Sequence, residues 1–166
     1  MKTDPQASRR VTLLVLDVDG VLTDGRLWFG PEGESLKVFH VRDGLGIKRL
    51  RSAGVDVAVI SGRSSAAVER RMSELGVTHV LQGVSDKGRA LQDLLATVGR
   101  SASEVACLVD DTPDLPLMRL VGLPAAVADA HPEVLAAASH VTSLAGGRGA
   151  VREFCDWLVD SRRDAP

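Results

Sequence analysis

Val11-Thr12-Leu13-Leu14-Val15-Leu16-Asp17-Val18-Asp19-Gly20 is an almost unbroken apolar run that ends in two carboxylates one residue apart and then a glycine. A short continuous apolar run bounded by turn residues marks a strand buried on both faces, as in a parallel sheet. The pattern recurs at Val55-Asp56-Val57-Ala58-Val59-Ile60, Val77-Thr78-His79-Val80-Leu81, Val105-Ala106-Cys107-Leu108-Val109 and Ala125-Ala126-Val127-Ala128. Helical stripes separate these runs. Val68, Met72 and Leu75 fall at i, i+4, i+7, Leu91, Leu94, Leu95 and Val98 at i, i+3, i+4, i+7, and Val151, Phe154, Cys155, Leu158 and Val159 mark a closing helix. Strand and helix in alternation predict an α/β fold, a doubly wound, mostly parallel sheet with helices on both faces.

The chain has 166 residues, the size of one domain. Residues 11–163 are expected to form it. Residues 1–10 are polar, lack the apolar stretch of a secretory signal, and are expected to be a loose cytoplasmic arm. One segment interrupts the alternation: Leu27-Trp28-Phe29, the turn Gly30-Pro31-Glu32-Gly33-Glu34, then Ser35 to Val41, which reads as an inserted β-hairpin. Trp28, Phe29 and Phe39 lie in it and Phe154 and Trp157 in the last helix; large apolar side chains outside the repeating core point to an interface.

Hydrophobic residues make up 45% of the chain and charged ones 25%, a globular composition with no apolar run of the ~18 residues needed to cross a bilayer. Twenty Lys and Arg against 22 Asp and Glu leave a net charge of -2, which excludes the global positive field that holds nucleic acid or an anionic membrane. Cys107 and Cys155 sit in apolar periodic segments without Cys-x-x-Cys spacing and read as buried reduced thiols.

In open α/β sheets ligands bind beyond the carboxyl ends of the strands, so polar residues there carry the chemistry. Asp17 and Asp19 follow the first strand on one side of the chain, where two carboxylates repel unless a cation offsets them. Asp-x-Asp-Gly also opens calcium loops, but the twelfth position from Asp17 is Trp28 and not a bidentate Glu. Ser61-Gly62-Arg63 ends the second strand with a hydroxyl and a cation where a helix begins, a place suited to a phosphate oxygen or to a helix cap. Lys87 opens the helix after the third strand, where a cation works against the helix dipole. Asp110-Asp111-Thr112-Pro113-Asp114 crowds three acids at the fourth strand end, a pattern for a hard cation such as Mg2+ or for a solvated turn.

The order Asp-x-Asp, Ser, Lys, Asp-Asp-x-x-Asp, each at a strand end, resembles the haloacid dehalogenase superfamily of phosphatases. Asp17-Val18-Asp19-Gly20-Val21-Leu22-Thr23-Asp24-Gly25, Val41-Arg42-Asp43-Gly44, Val127-Ala128-Asp129-Ala130-His131-Pro132 and Ala145-Gly146-Gly147-Arg148-Gly149-Ala150-Val151-Arg152-Glu153 resemble, more narrowly, the 3-deoxy-D-manno-octulosonate 8-phosphate phosphatase family. The resemblance runs from about Val11 to the last helix. It implies a phosphatase fold without a separate cap domain, Mg2+ as cofactor, an acidic sugar phosphate as substrate, a cytoplasmic setting in lipopolysaccharide biosynthesis, and a homotetramer. Neither nucleic acid nor membrane is an expected partner.

The same resemblance implies that Asp17 is the nucleophile and that Asp19 protonates the leaving hydroxyl and then activates water. Ser61 and Lys87 would hold the phosphate. Asp17, the backbone carbonyl of Asp19, and Asp110 would bind the metal, with Asp111 and Asp114 in support. Substrate contacts would fall on Asp19, His40, Val41, Arg42, Asp43, Gly44, Lys48, Arg63, Arg71 and Lys87. A neighbouring copy's stretch near Gly146-Gly147-Arg148-Gly149 would help cover the pocket.

Three positions depart from the family pattern. His40 stands for an amide side chain, Lys48 for Arg, a point charge for a planar fork, and Val109 for the Gly before Asp110. Val109 either packs into the sheet or displaces Asp110, and on that choice rests the rival of a phosphatase fold kept as a binding protein. Another rival is a phosphatase for a nonulosonate 9-phosphate. A phospho-accepting receiver domain fits poorly, since it would carry adjacent acids on its first strand and Ser61 stands where a mid-chain Asp would be needed.

Overall fold

The computed structural model describes residues 5–163. Its elements are α1 (Pro5–Arg10), β1 (Leu13–Leu16), β2 (Trp28–Gly30), β3 (Gly33–Leu36), α2 (Val41–Ser52), β4 (Asp56–Ile60), α3 (Ala66–Glu74), β5 (His79–Leu81), α4 (Lys87–Val98), β6 (Val105–Val109), α5 (Leu115–Met118), β7 (Leu123–Ala126), α6 (Pro132–Ala137), β8 (His140–Val141) and α7 (Ala150–Arg163). Six strands make one sheet in the order β5-β4-β1-β6-β7-β8. Every pairing in it is parallel.

All four residues of β1 are buried, with Leu13–Leu16 in register against Asp56–Val59 on one side and Val105–Leu108 on the other. From β1 the chain builds outward through β4 and β5, then crosses back to build β6, β7 and β8 on the opposite side. Such a reversal opens a crevice at the carboxyl ends of the flanking strands, here β4, β1 and β6. The residues that follow those strands are Ser61, Asp17 and Asp110.

The inserted hairpin is present, with β2 and β3 antiparallel and a register shift between Trp28 and Phe29. Its second arm is shorter than the expected run to Val41: regular pairing ends at Leu36 and α2 begins at Val41. Trp28 and Phe29 are 51% and 65% exposed, in keeping with an interface. Phe154 is not. It is fully buried in the core and stacks on Trp157, which rests against His140.

Two boundaries are corrected. Pro5–Arg10 is a helix and not a loose arm: Ser8 is buried, Ala7 packs against the core, and the Arg9 Nε–H donates to the Ser161 carbonyl of α7 at 3.2 Å. A polar stretch hides its few core-facing groups from a hydrophobicity reading, and residues 1–4 lie outside the described ones. The strand expected at Ala125–Ala128 runs from Leu123, and the two-residue β8 is too short to show in an apolar pattern.

Cys107 and Cys155 are both free and fully buried, and burial pushes the Cys107 thiol up to about 12. Val109 is 1% exposed and pairs with Ala126, so its branched side chain is part of the core. Among the described residues no helix is long and apolar enough to cross a membrane.

Candidate active site

Asp17, Asp19, Gly25, Ser61, Gly62, Arg63, Lys87, Asp110, Asp111, Pro113 and Asp114 line one cleft of about 330 Å³ at the carboxyl end of the sheet. Asp17 is the first residue after β1, and its backbone N–H donates to the Leu108 carbonyl of β6 at 3.3 Å. Its Oδ1 accepts the Val18 N–H at 2.7 Å, and its Oδ2 lies 2.9 Å from the Lys87 Nζ. Lys87 is buried and also binds Asp114 at 2.6 Å. The helix-opening lysine is thus a deep charge pinned by two acids, not a solvated one.

Burial alone disfavours the Lys87 ammonium, but the charges of Asp17 and Asp114 more than compensate and hold its pKa above the ordinary value. Asp114 thus helps to hold Lys87 in place. Asp111 and Asp114 also cap the short turn Thr112–Asp114 reciprocally: Asp111 Oδ1 accepts the Thr112 N–H at 2.7 Å, and Asp114 Oδ2 accepts the Asp111 N–H at 3.4 Å.

Asp110 is fixed from behind. Its carbonyl accepts the His131 N–H at 2.7 Å, while the His131 ring caps α6 by accepting the Glu133 N–H at 3.3 Å. In front stands Gly20, at φ +85, where a Cβ would lie 2.0 Å from Asp110 Oδ2. No other residue type fits that contact.

Single oxygens of Asp17, Asp110 and Asp114 lie within 4.8 Å of one another, and Asp110 Oδ1 is buried without a hydrogen-bond partner. Burial first, and then the charges of Asp17, Asp114 and Asp111, push Asp110 up to about 8. Burial and the charge of Asp114 push Asp17 up to about 6, against the pull of Lys87. Three acids with one ammonium between them, and an orphaned buried oxygen, form a donor set that suits a hard divalent cation.

Asp19 lines the same cleft, its Oδ1 2.5 Å from the Lys37 Nζ and its Oδ2 3.7 Å from the Arg63 Nε. Ser61 is buried at the end of β4, where its N–H donates to the Leu81 carbonyl and its Oγ accepts the Arg63 N–H at 3.4 Å. The expected catalytic and metal residues Asp17, Asp19, Ser61, Lys87 and Asp110, together with Arg63, thus share one cleft.

The remaining expected substrate contacts do not line that cleft in the single chain. His40 caps α2, its Nδ1 accepting the Arg42 N–H at 3.2 Å. An amide oxygen would serve the same cap, which accounts physically for that exchange. Asp43 is buried at the start of α7, where its Oδ1 accepts the Arg152 N–H at 2.9 Å, and Gly44 leaves room for the Arg71 guanidinium, 2.3 Å from where its Cβ would be. Arg71 pairs with Glu74 at 3.2 Å. Val41, Arg42 and Lys48 are exposed, Lys48 on the groove between α2 and α7. Docking α2 onto α7 is what turns this segment away.

The Gly146–Gly149 stretch packs on its own chain: the Gly147 N–H donates to the Val21 carbonyl at 2.9 Å and the Gly146 N–H to Asp129 at 2.9 Å. Lys37 and Glu34 are site neighbours that sequence reasoning missed. No local pattern separates them from solvated hairpin charges; only their pairing with Asp19 and Arg63 in the folded chain does.

A family model for haloacid dehalogenase-like hydrolases matches residues 78–153. The chain is 49% identical over 154 residues to the 3-deoxy-D-manno-octulosonate 8-phosphate phosphatase of Yersinia pestis, covering 93% of this chain and 82% of that one. The chain belongs to the 3-deoxy-D-manno-octulosonate 8-phosphate phosphatase family. Among solved members of that phosphatase family, the Yersinia pestis crystal structure matches with a TM-score of 0.93 at 48% identity, over 96% of this chain and 86% of that one. The Moraxella catarrhalis phosphatase, solved in complex with magnesium ion, phosphate ion and KDO, matches with a TM-score of 0.93 at 39% identity, over 96% of this chain and 92% of that one.

Proposed function

We propose that this protein is a Mg2+-dependent phosphomonoesterase that hydrolyses 3-deoxy-D-manno-octulosonate 8-phosphate to the free sugar acid and inorganic phosphate. The observation that carries the reading is the convergence of Asp17, Asp110 and Lys87 in a cleft faced by Asp19, in a chain of this family. An Asp17 carboxylate oxygen attacks phosphorus, the bond from phosphorus to the sugar oxygen breaks, and Asp19 gives that oxygen its proton. Asp19 then takes a proton from water, whose oxygen attacks the aspartyl phosphate, releasing phosphate and restoring Asp17. Lys87, 2.9 Å from Asp17, favours its ionised form and offsets the charge of an arriving phosphate. Ser61 and Arg63 offer a hydroxyl and a guanidinium to the phosphate and the sugar. Asp17, Asp110 and the backbone carbonyl of Asp19 would hold Mg2+, which would supply positive charge against the phosphate dianion.

The described residues 5–163, with α1 packed on the core beside α7, act as one catalytic unit. The exposed Trp28 and Phe29 support assembly through the hairpins into a homotetramer, in which Val41, Arg42 and Lys48 are free to meet a neighbour's cleft. Two free buried thiols are in keeping with a reducing, cytoplasmic setting. Val109, packed within the sheet, supports an active enzyme over a binding protein.

Steady-state kinetics on 3-deoxy-D-manno-octulosonate 8-phosphate and on a nonulosonate 9-phosphate, with Mg2+, test the reading. A higher kcat/KM for the octulosonate is expected; a higher value for the nonulosonate transfers the assignment. Light scattering should report a tetramer at micromolar concentration, and a fully active monomer refutes the assembly.

A further inference from the structure

Asp19 is held by a closed ring of charges reaching into the hairpin. Lys37 Nζ lies 2.5 Å from Asp19 Oδ1 and 3.0 Å from Glu34 Oε1, while Arg63 lies 3.7 Å from Asp19 Oδ2 and 2.7 Å from Glu34 Oε2. Each Asp19 oxygen faces a different cation, and the two oxygens of Glu34 tie those cations together. The Lys37 side chain is only 3% exposed, although its neighbours Leu36 and Val38 are exposed. A surface ion pair contributes little and stays mobile, whereas a nearly buried ammonium between two carboxylates fixes both.

We infer that Lys37, with Glu34, is a positioning residue for Asp19: the hairpin sets the direction from which that carboxylate delivers and accepts its proton. The inference rests on the acid–base role given to Asp19 above. Proton transfer needs heavy atoms within hydrogen-bond reach of the reacting oxygen, and a carboxylate hydrogen-bonded by Lys37 at Oδ1 and faced by the Arg63 guanidinium at Oδ2 is biased toward one orientation through both displacements. Neither residue need touch substrate. Lys37 has two carboxylate partners already, and Glu34 acts only through Lys37 and Arg63.

The test compares leaving groups. A sugar alkoxide needs its proton from Asp19, whereas 4-nitrophenolate leaves without one. For Lys37→Met, kcat on the sugar phosphate should fall roughly 30- to 100-fold, with KM changed by less than about threefold. First-turnover release of nitrophenolate from 4-nitrophenyl phosphate should fall by less than about threefold, because that step asks no proton of Asp19. Lys37→Arg should recover most of the loss. Glu34→Gln, which leaves both cations in place but loosens them, should show a smaller loss with the same dependence on leaving group. It also serves as the readout if Lys37→Met does not fold.

A raised KM with unchanged kcat makes Lys37 a substrate-binding cation and overturns the inference, as does an equal loss on both substrates. Asp19→Asn separates the two levels of argument. If it shows the leaving-group dependence and the Lys37 and Glu34 variants do not, the positioning role alone fails; if it shows none, the acid–base role of Asp19 fails with it.

Discussion

Gly20→Ala puts a methyl group where the Asp110 carboxylate lies. The new Cβ would stand 2.0 Å from Oδ2 and 2.5 Å from Cγ, and ordinary contact begins at 3.4 Å, so the carboxylate must retreat by about 1.4 Å. Mg2+ demands near-ideal octahedral geometry at short range, and a ligand displaced by that much is largely lost to it. Alanine at φ +85 also carries the left-handed cost, about 1 kcal/mol, or about 2–4 °C in Tm for a chain of this size. Gly54 separates the two effects. It sits at φ +84 with nothing within 4 Å of its would-be Cβ, so Gly54→Ala carries the backbone cost and no contact. Mg2+ titrations read by activity and by thermal shift should give a loss of Tm without metal at least as large for Gly20→Ala as for Gly54→Ala, and a half-saturation raised at least about tenfold for Gly20→Ala only. Equal Mg2+ half-saturation in the two variants refutes the argument that Gly20 makes room for a metal-binding Asp110.

Asp17→Asn should abolish turnover while leaving thermal unfolding cooperative, since an amide is neither nucleophile nor good magnesium ligand; a folded variant of near-normal activity sinks the mechanism. Asp110 and Asp17 are raised by burial to about 8 and about 6 from 3.8, so between pH 4 and 8 the metal-free fold binds more protons than the unfolded chain. In chelator, stability should therefore fall as pH rises through that window, and the gain in Tm from Mg2+ should grow over it as metal displaces protons. A Tm in chelator that is flat or rising from pH 5 to 8 contradicts the crowded-acid picture. Val109→Gly should cost about 2–4 kcal/mol in denaturant unfolding, because it empties a core site and loosens a central strand, and should leave Mg2+ half-saturation unchanged. A glycine variant that alone turns over substrate at saturating Mg2+ would instead show that Val109 displaces Asp110.

Much of this molecule is written in local pattern. Doubly buried parallel strands need continuous apolar runs, so β1, β4 and β6 stand out from the sequence, and the acids and the serine that follow them are placed by strand ends alone. Once those strands are parallel, Asp17, Ser61 and Asp110 must emerge on one edge. What local pattern does not carry is direction. Pro5–Arg10 looks like a solvated arm because, among its described side chains, only Ala7 and Ser8 find burial, and Phe154 looks available although α7 turns it into the core. His40 to Gly44 look like one contact strip, yet helix packing sends His40 to a cap, Asp43 to the start of α7 and Arg42 to solvent. Lys87 is a poor helix opener until Asp17 and Asp114 close around it. Lys37 and Glu34 acquire meaning only when the hairpin folds onto Asp19, 18 residues away from Lys37 in the chain. Periodicity and strand-end chemistry are properties of neighbouring residues, which the sequence holds by itself; the pairing of charges across the cleft depends on how separate elements pack, and the tertiary structure alone decides it.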